Sequence, residues 1–121
     1  MPRDAGAGTI RQMKFGSGQR SYAVTWLEGN GPVRVGKLEL SPRGLSLKGG
    51  GPRGRLYSLS VLYRDLAGVR IARTAAERLR RRPTLVIERP SRPSIRIASV
   101  EGLGMTTEVF ERLVPLIAAA A

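Results

Sequence analysis

Cysteine and histidine are both absent from the 121 residues. Without cysteine there is no disulfide framework, no thiolate nucleophile and no zinc knuckle. Without histidine the commonest general base and the commonest transition-metal ligand are missing. Lysine is scarce, at Lys14, Lys37 and Lys48 only, and aromatic residues make up 5%. Long apolar runs are missing too. The most apolar stretch, residues 113–121, falls well short of the ~20 residues of a spanning helix. Residues 1–8 carry no apolar run after their charges, so no secretory leader is expected and the cytoplasm is the expected compartment. No cofactor is expected, and catalysis finds no apparatus: Glu88 and Glu101 are not placed together by any pattern.

What is present is positive charge. Lys+Arg number 21 against 9 Asp+Glu, a net charge of +12, and 18 of the 21 are arginines. Such a field attracts polyanions or acidic surfaces, and the planar guanidinium suits phosphate and carboxylate. A bias toward arginine in composition would produce the same number with no ligand at all.

A chain of this length is expected to hold one domain. Residues 1–19, with Gly6, Gly8, Gly16 and Gly18 among scattered charges, read as a flexible arm, and residues 20–121 as the domain. From Arg20 the periodicity is two. Tyr22, Val24 and Trp26 alternate with Ala23, Thr25 and Leu27, and Asn30-Gly31 signals a tight hairpin. The next strand, residues 33–40, changes phase: Val33 and Val35 share one parity, Leu38 and Leu40 the other. A bulge at Gly36 would return both pairs to the core. Ser41-Pro42-Arg43-Gly44 fits a type I turn, followed by a short strand over 45–48.

Residues 48–55 hold four glycines and form the next break. Tyr57, Leu59, Val61 and Tyr63 then alternate with Ser58 and Ser60, and Val69 and Ile71 mark a fifth strand. Asp65 beside Arg64 is expected to pin the corner between these two strands. Residues 74–82 are helix-compatible up to Pro83. Strands over 84–88 and 94–98 follow, joined by a turn at 89–93. Finally Phe110, Leu113, Val114 and Ile117 recur at helical spacing, with Thr107 as N-cap and Pro115 interrupting the pattern.

Seven hairpin-connected strands and a terminal helix resemble the pleckstrin-homology-like superfold. Residues 36–47, Gly-Lys-Leu-Glu-Leu-Ser-Pro-Arg-Gly-Leu-Ser-Leu, are similar to the hairpin of GRAM and bacterial pleckstrin-homology-like domains. Residues 61–70, Val-Leu-Tyr-Arg-Asp-Leu-Ala-Gly-Val-Arg, are similar to their strand-to-strand corner. The likeness spans residues 20 to 118. It implies a mainly β fold: a seven-stranded sandwich or partly open barrel of two antiparallel sheets, of four and three strands, capped by the C-terminal helix. It also implies a non-catalytic adaptor for proteins, lipids or peptides. A local resemblance competes with it. Glu39-Leu-Ser-Pro-Arg-Gly44 is close to the turn of PilZ domains, which sense cyclic dinucleotides. The arginine pair that such domains place upstream is not there: Phe15 and Val24 stand at the required spacing from Arg11 and Arg20. Arg78 and Arg82 have the spacing downstream.

The resembled fold gathers three loops at its open end, here residues 28–32, 48–55 and 89–93. The glycine loop could cradle an anion on successive amides. Lys48, Arg53, Arg55, Arg89 and Arg92 would form one basic rim, with Glu28 as local opponent. Lipid-binding members carry basic residues around the first loop, where this chain has Glu28 and Asn30. Arg78, Arg80, Arg81 and Arg82 form a second basic run, where Glu77 would reach Arg80 or Arg81 if the segment were helical. Tyr22, Trp26, Tyr57 and Tyr63 share parity with core residues, which argues against a base-stacking platform and leaves only electrostatic nucleic-acid binding. A protein partner or self-association is the first expectation, an anionic membrane surface the second, and nucleic acid the third. Residues 22–27 carry no charge, and a neutral edge strand invites pairing into a homo-oligomer.

Overall fold

The computed structural model describes residues 20–51, 54–100 and 104–120. Seven strands run in chain order: β1 (Arg20–Glu28), β2 (Arg34–Leu40), β3 (Gly44–Gly50), β4 (Leu56–Leu62), β5 (Gly68–Ile71), β6 (Thr84–Arg89) and β7 (Arg92–Ser99). Helix α1 (Gly104–Ala120) ends the described chain. All strand pairs are antiparallel, in one continuous sheet of order β4-β3-β2-β1-β7-β6-β5. Hydrogen bonding does not divide it into sheets of four and three strands, because β1 pairs with β2 along one side and with β7 along the other. The sheet does not close, and β4 and β5 are its two edges.

Alternation decides the faces. Val24, Trp26, Leu38, Leu40, Leu45, Leu47 and Val61 turn inward from one half of the sheet, and Leu85, Ile87, Ile95 and Ile97 from the other. Val109 and Leu113 of α1 complete the same cluster, with Phe110 and Ile117 partly buried against it. Val114 stays exposed, so the helical stripe is centred one residue off the face read from the sequence. The helix begins at Gly104, placing Thr107 inside its first turns rather than at the N-cap, and it continues through Pro115. Thr106 fastens that end to the sheet by donating to the Pro83 carbonyl at 3.2 Å. Tyr22 donates to Glu108 at 2.7 Å, tying β1 to α1.

Four local expectations are corrected. At Gly36 there is no bulge: the β1–β2 register runs unbroken from Arg20↔Leu40 to Trp26↔Arg34. Val35 consequently lies on the outer face, 56% exposed. Glycine is needed at 36 for another reason. It stands opposite Gly49, and a Cβ there would run into the Lys48 backbone. A Cβ on Gly49 would in turn meet the Trp26 indole at 3.0 Å. The two glycines vacate the volume that the fully buried Trp26 occupies, and its Nε1 donates to the Lys48 carbonyl at 3.1 Å.

Asn30-Gly31 does not form a two-residue hairpin. The positive φ falls at Gly29 (+59°), whose amide donates to Ser94 O at 2.8 Å, drawing the loop toward β7. Residues 74–82 are not a helix but one 3₁₀ turn, Ala75–Glu77, followed by Arg80 and Arg81 in the left-handed region. Leu79 is the reason: it packs with Leu27 and Ala98 in a second small core, and its amide donates to the buried Thr84 hydroxyl at 2.9 Å. The β4–β5 corner is not pinned by Asp65, which is exposed. Buried Tyr63 pins it, donating to the Ser41 carbonyl at 2.7 Å, and burial pushes its hydroxyl up to about 12.

Candidate binding site

The open-end rim does not assemble as five free cations. Arg89 is the clearest departure. Its side chain is 4% exposed, and it donates to Glu28 at 2.6 Å and to the Pro93 carbonyl at 2.7 and 2.9 Å. A buried guanidinium needs a charged partner and filled donor sites, and both are supplied from within the chain. Glu28 is therefore the counter-ion of Arg89 rather than an opponent of the rim.

Lys48 belongs to β3, on the outer face, where its ammonium lies 3.5 Å from Glu39. Lys37 shares that carboxylate at 3.6 Å. Gly49 and Gly50 are also strand residues, so the loop shrinks to 51–55. Within it, the Gly51 amide donates to Arg55 O and the Gly54 amide to Gly51 O, both at 3.1 Å. These two amides are therefore bonded within the chain. Arg53 lies outside the described residues, whereas Arg55 and Arg92 are exposed. Arg34, absent from the rim read in the sequence, stacks its guanidinium 4.2 Å over the Tyr57 ring and 5.9 Å from Trp26. Aromatic parity gave the core position of Trp26, but Tyr57, read as core by the same parity, is 38% exposed at the rim of the sheet, and nothing in the sequence signalled the cation over the two rings.

A different concavity opens at the seam where the sheet fails to close. An open cleft of about 640 Å³ is lined by Leu59, Ser60, Val61 and Leu62 of β4, by Arg64 and Asp65 of the corner, and by Arg89, Pro90 and Arg92 where β6 turns into β7. Its size lies in the range of ordinary ligand clefts. Arg64 and Arg92 are exposed, and among the described residues neither makes an ion pair. Of the expected rim, Arg92 and the already neutralised Arg89 meet here. Arg64 and Asp65 join them because the 3₁₀ turn Tyr63–Asp65 swings the corner toward the seam.

The second basic run is dispersed. Arg78, Arg80 and Arg81 are exposed, while Arg82 donates to the Ser99 carbonyl at 2.9 Å. Glu77 reaches neither Arg80 nor Arg81. It takes a bidentate pair from Arg70 and an amide bond from Arg73, which together hold its carboxyl down at about 2. At the PilZ-like turn, Ser41 Oγ accepts from the Gly44 amide at 3.3 Å and donates to Gly44 O at 2.9 Å, a purely local closure. Among the described residues no group of three or more acidic side chains stands close enough to hold a metal ion, and no helix is long and apolar enough to cross a membrane.

No protein-family model matches the chain, and no curated protein does. A solved structure does: the C-terminal domain of an unknown protein from Leishmania infantum is similar over 82% of each chain, with a TM-score of 0.60 and 13% identity. At that identity the likeness concerns the fold alone.

Proposed function

We propose that the chain is a non-catalytic pleckstrin-homology-like binding module that recognises a protein partner carrying acidic groups. The strand order, β4-β3-β2-β1-β7-β6-β5 with a C-terminal helix against the core, supports the sandwich or partly open barrel of the resemblance. The observation that carries the functional reading is the seam cleft, where, among the described residues, Arg64 and Arg92 make no ion pair and the adjoining edge of β4 has no strand partner. A net charge of +12 would bring acidic partners to it by long-range attraction.

A second reading, docking on an anionic membrane surface, is favoured by a separate feature. Val35 and Leu56 lie in one ladder row on the outer face, 56% and 87% exposed, with Lys37 and Lys48 in the next row. Glu39 between the two lysines offsets their charge, which places this reading second.

Capture from native lysate on the immobilised chain, with and without nuclease and across a salt series, tests the proposal. Protein capture that survives nuclease and weakens with salt is the expected result. Loss on nuclease treatment would make the ligand nucleic acid. Retention on phosphatidylserine vesicles with no protein captured would make it the membrane surface.

A further inference from the structure

Native sheets protect their edges by shortening them, charging them, covering them or breaking them with proline or a bulge. Edge strand β5 has only four residues, carries Arg70, and lies against α1. The other edge has none of these devices. Strand β4 reads Leu-Tyr-Ser-Leu-Ser-Val-Leu, seven residues with no charge, no proline and an unbroken register to β3. Among the described residues nothing pairs with its outer side.

The pairing pattern fixes which groups are on offer. One step beyond the ladder, the Tyr63 amide donates to Arg43 O at 3.0 Å. Antiparallel pairs alternate between bonded and non-bonded. Tyr57, Leu59 and Val61 therefore turn their N–H and C=O toward β3, while Leu56, Ser58, Ser60 and Leu62 turn theirs outward. Among the described residues these four present a regular row of donors and acceptors with no strand partner, opening along half its length into the seam cleft.

We infer that this edge takes up an extended acidic peptide as an eighth strand, an assignment that rests on the protein-binding reading above. The backbone of Leu56, Ser58, Ser60 and Leu62 would supply the ladder, and Arg64 and Arg92 the contacts to carboxylates on alternate positions. At about 3.3 Å per residue the edge accommodates some six or seven peptide residues. Charge selects this occupant over a second copy of the chain. Antiparallel pairing of β4 with itself about Leu59 would set Arg55 of one copy beside Arg64 of the other, between two molecules of +12. A lipid surface is disfavoured because hydrocarbon leaves the outward N–H and C=O groups unsatisfied.

The test uses the full chain and a fluorescent octapeptide alternating Glu and Val, followed by anisotropy. Ser60→Pro removes one outward N–H without touching a β3–β4 bond, a position where edge strands tolerate proline. It should weaken binding at least tenfold while Ser60→Ala leaves it unchanged. The Arg64→Glu, Arg92→Glu double variant should weaken it tenfold and flatten the salt dependence, and a Lys-Val octapeptide should not bind. Should Ser60→Pro unfold, amide exchange on the unaltered chain gives the answer. Added peptide should slow exchange at Leu56, Ser58, Ser60 and Leu62 and leave Tyr57, Leu59 and Val61 as they were. Wild-type affinity in a folded Ser60→Pro variant overturns the inference. So does a sedimenting dimer that Ser60→Pro dissociates, which makes the occupant a second copy, or binding to phosphatidylserine vesicles with none to the peptide. Nuclease-resistant lysate capture untouched by Ser60→Pro would remove the edge while leaving the module reading intact.

Discussion

Arg89 and Glu28, 61 residues apart in the chain, meet through a 2.6 Å hydrogen bond at the end of the sheet, with the arginine almost fully enclosed. The bond joins the end of β1 to the β6–β7 turn, and the same guanidinium ties that turn internally through Pro93 O. One of the positive charges most naturally assigned to a ligand is thereby committed to holding the fold.

Glu28→Gln should accordingly lower stability by about 2 kcal/mol in urea titration, since it removes a charge-assisted bond and leaves a buried cation to the Pro93 carbonyl alone. Arg89→Met should lower stability while leaving binding to anionic probes unchanged. Arg92→Glu should do the reverse. An Arg89→Met variant that loses anion binding at unchanged stability would restore the open-end rim.

Gly36 and Trp26 form a second dependency. Gly36→Ala forces a methyl group into the Lys48 backbone across the ladder, and should cost on the order of 3 kcal/mol with a disturbed tryptophan fluorescence. Gly104→Ala, at the start of α1 with nothing within 4 Å of the added methyl, should leave stability unchanged or raise it by up to about 1 kcal/mol. Equal losses in the two variants would mean that the close packing at Gly36 is not what requires glycine there.

Acid stability should report Glu77. Hydrogen bonds from Arg70 hold its carboxyl at about 2 in the folded chain, against 4.5 for the ordinary group. A depressed folded pKa gives stability that is fully present above the unfolded value and is lost as pH falls toward the folded one. The melting temperature should therefore fall between pH 4.5 and 2, and Glu77→Gln should flatten that fall. Glu108, lowered chiefly by its bond from Tyr22, contributes in the same direction, so the Glu77→Gln, Glu108→Gln pair should flatten it further. An unchanged acid slope in the double variant would mean that other carboxylates set it.

Much of the fold was legible as periodicity. Alternation at Leu59 and Val61 and at Ile95 and Ile97 correctly gave inward faces, although Tyr57 in the same series is 38% exposed, and the helical spacing of Phe110, Leu113 and Ile117 gave the helix that closes the core. Ser41 to Gly44 gave its chain reversal, because the closure there is made within four residues, by the Ser41 hydroxyl and by the Ser41 amide donating to Gly44 O. The excess of arginine was equally plain, but only as a sum.

Lateral neighbours were not legible. Residues 22–27 and 56–62 are both uncharged, and period two tells which face a residue takes, not which strand lies beside it. The middle of β1, residues 22–27, is uncharged where the strand is central: from Val24 to Leu27 both its faces are covered, and from Val24 to Trp26 both its edges are paired. Strand β4 is uncharged at an open edge, and only the sheet order distinguishes the two. The same holds for Arg89, whose Glu28 partner comes from the far end of the domain, and for Leu79, whose place against Leu27 and Ala98 overrides a helix-compatible segment. Local spacing determined most faces and elements, Val35 and residues 74–82 being departures. Which edge is free, which charge is buried and where the seam opens were decided by contacts between strands distant in sequence, because hydrogen-bond partners along a sheet are set by tertiary packing.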